Sequence, residues 1–186
     1  MKRGAAFAVV ILTAVILTGC ISSMSHPNAP DAVAPGDGPQ VYNVSRGAFL
    51  FGGRDGVLAA MHERFPRAQE TDKYDPPPGS FIRVRTRDLE MSLAGKIYGY
   101  VSLSLLTLIP FYNGETGCDI IFEVFDNGQL LKSYAYPIHR HLFVWLPVLP
   151  FSWISAITPS EWDAAHAATY RFFEDLSRDS PSPRGP

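Results

Sequence analysis

The stretch that decides the fold is 118–138, CDIIFEVFDNGQLLKSYAYPI. Its two runs, Cys118–Phe125 and Gln129–Ile138, are rich in β-branched and aromatic residues, which favour β-strands. Between them, Asp126-Asn127-Gly128 contains the Asn-Gly pair that favours a type I′ turn, whose twist matches that of paired strands. The sequence therefore predicts a β-hairpin at the centre of an antiparallel sheet.

The turn also predicts the register of this hairpin. With the Asn-Gly pair at its centre, Glu123 faces Lys132 as a cross-strand ion pair, and Asp119 faces Tyr136. The opposite face is almost wholly apolar. Because a sheet covers its apolar face with another layer, we expect helices to pack there. Its predicted members are Cys118, Ile120, Phe122, Val124, Leu131 and Ala135.

Two helices are predicted on either side of the strands. The first covers Asp55–Phe65, where apolar residues recur at helical spacing and Pro66 follows as a stop signal. The second begins at the capping box Thr158-Pro159-Ser160-Glu161, which has proline at the first helical position. Its predicted apolar face consists of Trp162, Ala165, His166, Thr169, Phe173 and Leu176.

Further strands complete the predicted sheet. They cover Val41–Phe51, Ser80–Met91 and Lys96–Ile109. The predicted fold class is α+β, an antiparallel sheet of about 4–5 strands with two helices packed on one face.

The segment 1–20, MKRGAAFAVVILTAVILTGC, has the pattern of an export signal. The basic pair Lys2-Arg3 precedes an apolar run over Gly4–Thr18, which is short for a membrane span of roughly 20 residues. The run ends in Leu17-Thr18-Gly19-Cys20, which resembles the bacterial lipobox. The resemblance implies cleavage after Gly19 and acylation of Cys20, which then becomes the N-terminus of the mature chain. An ordinary cleaved signal and a short membrane anchor are the alternatives.

Lipidation implies a location at a membrane. Several acyl chains hold a protein firmly, since each buried methylene contributes about 0.8 kcal/mol and one chain alone is marginal. In lipoprotein sorting, Asp after the acylated cysteine favours the inner membrane, whereas this chain has Ile21, Ser22 and Ser23. The resemblance therefore implies the periplasmic face of the outer membrane, with the periplasmic face of the inner membrane as the alternative.

Composition divides the chain into four parts. We predict a signal peptide over 1–19, the acylated cysteine and a flexible tether over 20–40, a single α+β domain over 41–178 and a disordered tail over 179–186. The tether is rich in Ser, Pro, Ala and Gly, and a flexible segment of that length has a reach of roughly 25 Å.

Charge and cysteine content exclude some classes of function. Without Lys2 and Arg3, the chain has 14 basic and 18 acidic residues and a net charge of −4, which argues against binding to nucleic acid. If Cys20 is acylated, Cys118 has no disulfide partner within the chain. We therefore expect Cys118 to be a buried and inert thiol.

Two uncharged apolar segments are the candidate contact surface. They are 103–112, LSLLTLIPFY, and 142–157, LFVWLPVLPFSWISAI. Pro147 and Pro150 argue against a transmembrane helix in the second segment. A buried loop over the core and an interfacial loop with Trp145 and Trp153 at the headgroup level both stay open. The candidate contacts to a membrane or partner protein are Leu106, Ile109, Phe111, Trp145, Leu146, Leu149, Phe151 and Trp153.

The order of these motifs also carries a resemblance. TLIPFY, a hairpin, WLPVLPF and then a helix rich in Ala and Phe resemble a diffuse group of small bacterial lipoproteins without assigned activity, over roughly Val101–Leu176. The resemblance implies no catalytic residue.

Arg83, Arg85 and Arg87 alternate along one predicted strand and share a face. One interpretation is a solvated face with Asp119 or Glu123 nearby. The other is a cationic ladder that binds the phosphate or carboxylate groups of a lipid or glycan.

Residues that could support catalysis or metal binding are sparse. His139 and His141 share a strand face and could bind a metal, but no acid or cysteine follows them at a useful spacing. The sequence has no nucleophile elbow, paired glycosidase carboxylates or phosphate loop. We therefore predict no catalytic residue, metal or cofactor.

These observations predict a non-catalytic envelope lipoprotein with an accessory or adaptor role. Its partners would be the membrane, through the acyl chains, and an envelope protein or lipid. The alternative is a periplasmic lipid- or glycan-binding lipoprotein, and an enzyme comes third. A concave apolar pocket would favour the binding module, and a convex or flat apolar patch would favour the adaptor.

Overall fold

The computed structural model describes residues 20–25, 28, 39–45, 49, 52–105 and 108–179. The predicted signal peptide over 1–19 and most of the tail over 179–186 lie outside them. In chain order the elements are β1 (Cys20–Ser25), β2 (Val41–Val44), α1 (Gly53–Arg64), β3 (Gln69–Glu70), β4 (Ser80–Leu89), α2 (Leu93–Ser104), β5 (Phe111–Asp126), β6 (Gln129–Val144), a 3₁₀ helix (Leu146–Ala156) and α3 (Glu161–Asp179).

The strands form one six-stranded sheet in the order β1-β6-β5-β4-β2-β3. β4 and β5 are antiparallel, and their register places Ser80 opposite Asp126 and Leu89 opposite Gly117. β2 is parallel to both β3 and β4. The α+β class is confirmed, but the sheet is mixed and larger than predicted. Parallel neighbours need a crossover connection, and α1 provides one between β2 and β3.

The described residues separate into two compact units. We call 20–24, 90–116 and 139–159 the apolar unit, and 25–89, 117–138 and 160–179 the core unit. The described part of the range 41–178, predicted as one domain, is divided between them.

The core unit contains the largest of the fully buried side chains that the structure describes. α1 packs against α3, and an added Cβ at Gly56 would lie 2.4 Å from the carbonyl oxygen of Trp162, so glycine permits this approach. The Phe122 ring of β5 stacks on Phe172 of α3 with centroids 4.3 Å apart. Helix α3 therefore packs on the predicted apolar face of β5. The largest fully buried apolar side chains are Phe81, Phe122, Phe172, Phe173, Met61, Ile82, Ile120, Ile138, Val57 and Val84.

The hairpin is confirmed, and both of its strands are longer than predicted. Asn127 and Gly128 have φ angles of 49° and 82°, the two positive values that a type I′ turn requires. The Asn127 amide donates to the Gly79 carbonyl at 3.0 Å, and the Gly79 amide donates to Asn127 Oδ1 at 3.1 Å. The turn is thereby fixed to the residue that precedes β4.

The predicted facing of β6 is wrong. Leu131 and Ala135 are exposed, whereas Tyr136 is buried and its ring contacts Phe122 with centroids 5.9 Å apart. Side chains alternate along a strand, so an offset of one residue turns every side chain to the other face. The tyrosine is favoured inside because its ring is buried while its hydroxyl donates to Asp175 at 2.7 Å.

The predicted capping box of α3 is also displaced. The Ser160 amide donates to Asp163 Oδ2 at 2.8 Å, and the Asp163 amide donates to Ser160 Oγ at 3.2 Å. This reciprocal pair is the capping box, in place of Thr158 and Glu161. Thr158 instead donates through Oγ1 to the carbonyl of Ser22 at 2.8 Å.

The tether predicted over 20–40 is wrong at its start, because Cys20–Ser25 forms β1 at the edge of the sheet beside β6. The Ser22 amide donates to Ser155 Oγ at 3.1 Å, and the Met24 amide donates to the Pro159 carbonyl at 3.1 Å. Cys20 is therefore followed by a paired strand that is bonded to the 3₁₀ helix and the residues after it.

The strand predicted over Lys96–Ile109 is wrong as well, because Leu93–Ser104 forms α2. Ser92 caps this helix: its Oγ accepts from the Gly95 amide at 3.2 Å, and its own amide donates to Glu115 Oε2 at 3.0 Å. The cap begins a helix in a segment whose β-branched and aromatic content favours a strand.

Candidate functional site

Exposed large apolar side chains are concentrated in the apolar unit. Of the sixteen in the described part of the chain, twelve belong to this unit and four to the core unit. The twelve are Leu93, Ile97, Tyr98, Tyr100, Val101, Leu103, Leu105, Leu108, Tyr112, Phe151, Trp153 and Ile157. We call them the apolar surface.

The sequence around this surface carries almost no charge. Between 91 and 112 the single charged residue is Lys96, and between 142 and 157 there is none. A water-exposed surface normally intersperses charged residues with apolar ones. The apolar surface is therefore suited to contact with another apolar phase or molecule.

Helix α2 buries only small residues, and all of its large apolar residues are exposed. Gly95, Gly99 and Ser102 are spaced by four and then three residues, so they share one face. Gly99 and Ser102 are buried, and an added Cβ at Gly99 would lie 3.2 Å from Cζ of Phe111. Helices of water-soluble proteins normally bury the larger apolar side chains. The exposed large apolar residues of α2 are Leu93, Ile97, Tyr98, Tyr100, Val101 and Leu103.

Side chains also satisfy three consecutive carbonyls in the loop that follows α2. Trp145 Nε1 donates to the Leu108 carbonyl at 3.2 Å. Ser102 Oγ donates to the Ile109 carbonyl at 2.7 Å, and the Tyr98 hydroxyl donates to the Pro110 carbonyl at 2.6 Å. The loop therefore has hydrogen-bond partners for these carbonyls within the apolar unit.

The predicted contact residues are divided between the surface and the interior. Phe151 and Trp153 are exposed, while Ile109, Trp145 and Leu146 are half-buried. Phe111 is buried beneath Gly99, so it belongs to the interior rather than to the surface. Leu106 and the side chain of Leu149 lie outside the described residues. None of the described helices is both long and apolar enough to cross a membrane.

The exposed residues of α2 were missed because the segment was interpreted as a strand. The signal that would have found them is the Gly95, Gly99 and Ser102 spacing after the possible cap at Ser92. In a strand Ser102 would lie on the opposite face from Gly95 and Gly99, whereas in a helix all three share a face and the large apolar residues lie elsewhere on the helix.

The three arginines of the ladder pair with two acids of the neighbouring strand β5. Arg83 Nε and Arg85 Nη2 lie 2.7 and 2.6 Å from the two carboxylate oxygens of Glu123. Arg87 Nη2 lies 2.5 Å from Asp119 Oδ2. Glu123 and Asp119 are buried. The arrangement fits a sheet face with acids nearby better than an open anion-binding ladder, and the predicted Glu123–Lys132 pair is wrong.

The two histidines of β6 have separate surroundings. His139 is exposed, whereas His141 is half-buried and its Nδ1 lies 3.0 Å from the Tyr112 hydroxyl. Among the residues that the structure describes, no three His, Cys, Asp or Glu side chains are placed to hold a metal ion. Cys118 is buried, as the sequence predicts.

An aromatic column on α3 was not anticipated. Trp162, His166 and Tyr170 recur every four residues, and successive ring centroids are 4.8 Å apart. The Tyr170 hydroxyl donates to Glu63 Oε2 of α1 at 2.5 Å, and His166 Nε2 lies 3.3 Å from the same oxygen. The hydrogen bond from Tyr170 lowers the pKa of Glu63, while this bond raises the pKa of Tyr170 to about 12.

The core unit also contains a cavity of about 440 Å³. It is lined by Asn43, Val44, Ser45, Asp72 and Tyr74. Because most of these residues are polar, the cavity differs from the apolar pocket that a lipid-binding module would need.

No protein-family model matches the sequence, and no curated protein matches it either. Function is therefore inferred from the residues and their geometry.

Proposed function

We propose that this chain is a lipid-anchored envelope lipoprotein with a non-catalytic accessory or adaptor role at the periplasmic face of the outer membrane. The observation that supports this most is the place of Cys20. It is the first residue of β1, and residues 20–24 of this strand belong to the same unit as the apolar surface. The inner membrane is the alternative location.

The short distance from Cys20 to the folded part of the protein also supports the proposal. A strand of six residues spans about 20 Å at most, and β1 is paired along the sheet rather than free. Acyl chains on Cys20 enter the bilayer at the start of this strand. The apolar unit is therefore the part of the protein that acylation brings next to the lipid.

The adaptor role is supported by how the polar side chains are used. Arg83 and Arg85 neutralise the buried Glu123, and Arg87 pairs with the buried Asp119. These groups hold the sheet together instead of converging on a substrate-sized cleft. The protein would act by placing a folded core unit and its surfaces at the membrane for an envelope partner.

Metabolic labelling with palmitate tests the lipoprotein assignment, and the chain offers a matched control because it has only two cysteines. The Cys20→Ala variant should lose the label. The Cys118→Ala variant, which changes a buried thiol, should keep it. Continued labelling of Cys20→Ala would overturn the assignment.

Recovery of a partner tests the adaptor role. The acylated protein is cross-linked in intact cells and purified from the membranes, and the same envelope protein should be enriched in repeated experiments. Repeated recovery of the acylated protein without any enriched partner would contradict the role while leaving the lipid anchor intact.

One observation favours the alternative, a glycan-binding lipoprotein. The cavity of about 440 Å³ places the exposed ring of Tyr74 beside Asn43 and Asp72, which are polar groups able to bond sugar hydroxyls. Titration with peptidoglycan fragments tests it. Binding that Tyr74→Ala weakens would support the alternative, and no binding at millimolar fragment would remove it.

A further inference from the structure

We infer that the apolar surface lies in the interfacial layer of the lipid bilayer. The apolar unit would then contact lipid directly, in addition to being tethered by the acyl chains on Cys20. This inference rests on the proposed lipid-anchored function and deepens it by assigning an occupant to the surface. The part of this surface that the sequence analysis did not anticipate is α2, whose exposed residues Leu93, Ile97, Tyr100, Val101 and Leu103 would face lipid.

The packing of α2 is the first argument. Its inner face is made of Gly95, Gly99 and Ser102, and an added Cβ at Gly99 would lie 3.2 Å from the Phe111 ring. Helix contacts through small residues, with large apolar residues turned outward, are typical of helices whose surroundings are lipid. In water the same arrangement leaves the larger apolar area unburied.

The satisfied loop carbonyls are the second argument. Main-chain polar groups in lipid need partners within the protein, because lipid supplies none. The carbonyls of Leu108, Ile109 and Pro110 each accept a hydrogen bond from a side chain of the unit. Two of the donors, the Trp145 indole and the Tyr98 hydroxyl, thereby satisfy their own polar atoms. Their rings can then enter an apolar layer without leaving a donor unpaired.

Charge and residue type select lipid over a protein partner. Protein interfaces carry a polar rim around their apolar core, whereas 91–112 and 142–157 together contain one charged residue, Lys96. Tyrosine and tryptophan are enriched where membrane meets water, and the surface includes Tyr100 and Trp153. Lys96 lies on the exposed side of α2, where its long stem can carry the ammonium group to the headgroups.

The depth of insertion is limited by helix length. α2 has 12 residues and the 3₁₀ helix has 11, so neither reaches the roughly 20 that a span requires. Helices of this length can lie in the interface plane, and the acyl chains on Cys20 supply the deep anchor.

Lipid quenching of single tryptophans tests the inference. Two variants of the full chain are isolated in their membrane-bound form and placed in vesicles of phosphatidylcholine with brominated acyl chains. One keeps Trp153 of the apolar surface, and the other keeps Trp162 of the core unit, with phenylalanine at the other two positions. Both variants share whatever N-terminus the cell leaves on the chain, so their difference is independent of the anchor.

We expect brominated lipid to quench Trp153 at least twofold more than Trp162. Equal quenching would overturn the inference, whether Trp153 is then open to an aqueous quencher or shielded from it by a protein or a second copy. Ile97→Asp, at an exposed site of α2, should reduce the quenching of Trp153, while Leu131→Asp, at an exposed site of the core unit, should not. Equal effects of these two variants would also overturn it.

The two proposals can fail separately. If palmitate labels Cys20 but brominated lipid quenches Trp153 and Trp162 equally, the lipoprotein assignment is supported and lipid contact by the apolar surface is contradicted. If Cys20 is unlabelled but Trp153 is still quenched, the apolar surface binds lipid without the acyl anchor.

Discussion

The hydroxyl of Ser102 donates a hydrogen bond of 2.7 Å to the carbonyl of Ile109. Ser102 is buried on the inner face of α2, and Ile109 lies in the loop that follows the helix. One side chain therefore keeps the inner face small and also satisfies a carbonyl beside the apolar surface. This bond therefore contributes both to the packing of α2 and to the satisfied carbonyls that the proposed contact with lipid requires.

Removing this bond should destabilise the protein modestly. Ser102→Ala keeps a small residue against the loop but leaves the Ile109 carbonyl without this donor, which should cost about 1 kcal/mol. Urea unfolding of the purified protein, followed by circular dichroism, measures the change. Ser104→Ala, at an exposed position of the same helix, should stay within about 0.5 kcal/mol of the parent chain. An equal loss in both variants would contradict a structural role for the bond.

The buried carboxylate of the arginine ladder should matter far more than a surface pair. Glu123 is 4% exposed and binds both Arg83 and Arg85, so Glu123→Gln removes the charge that compensates them. We expect a loss of about 2–3 kcal/mol, below the largest values for buried pairs because Arg85 is half-exposed. The free energy of unfolding measures it.

The matched control for the ladder is the exposed pair of Lys132 and Asp179. Lys132→Gln should leave the free energy of unfolding nearly unchanged, because water screens both charges. If Glu123→Gln were no more costly than Lys132→Gln, the ladder would be a solvated surface feature without structural weight.

The hydrogen bond between the aromatic column and Glu63 predicts that the stability of the fold depends on pH in the acidic range. Hydrogen bonding from Tyr170 lowers the pKa of Glu63 from its ordinary value of 4.5. A carboxylate with a lower pKa in the folded state stabilises the fold above its unfolded pKa, and the contribution is lost as pH falls through the folded value. Tyr170→Phe should raise the Glu63 pKa towards 4.5, as read from the carboxyl carbon shift in an NMR titration.

A second tyrosine supplies the control for this titration. The Tyr134 hydroxyl donates to Asp179, whose pKa is lowered mainly by Lys132 and then by Tyr134. Tyr134→Phe should move the Asp179 titration and leave that of Glu63 in place. A Glu63 pKa that does not change in Tyr170→Phe would exclude the hydrogen bond as its cause.

The hairpin was predictable because its determinants are local. Asn127 and Gly128 adopt the positive φ angles of the turn by their own chemistry. The facing of β6 was not predictable in the same way, since Tyr136 is turned inward by Phe122 and by Asp175 of α3. These partners lie far along the chain or on another element, and only the folded structure brings them together.

The candidate site was predicted in part. The uncharged composition of 103–112 and 142–157 identified the region, because charge content is read directly from residues. The helical form of α2 was missed because β-branched and aromatic content outweighed the cap at Ser92. A small residue is required at position 99 because the ring of Phe111 packs against it, and this tertiary contact cannot be read from the sequence.

The central claim is that lipid covers the outward face of α2, and cysteine labelling tests it most directly. Tyr100→Cys and Leu131→Cys are made in a Cys118→Ala chain, and each protein is isolated in its membrane-bound form and placed in vesicles at a single copy per vesicle. Tyr100 and Leu131 are 73% and 65% exposed, so a water-soluble maleimide would label both at similar rates on a bare protein. We predict that labelling at 100 is at least tenfold slower than at 131. Equal rates at the two positions would contradict the claim.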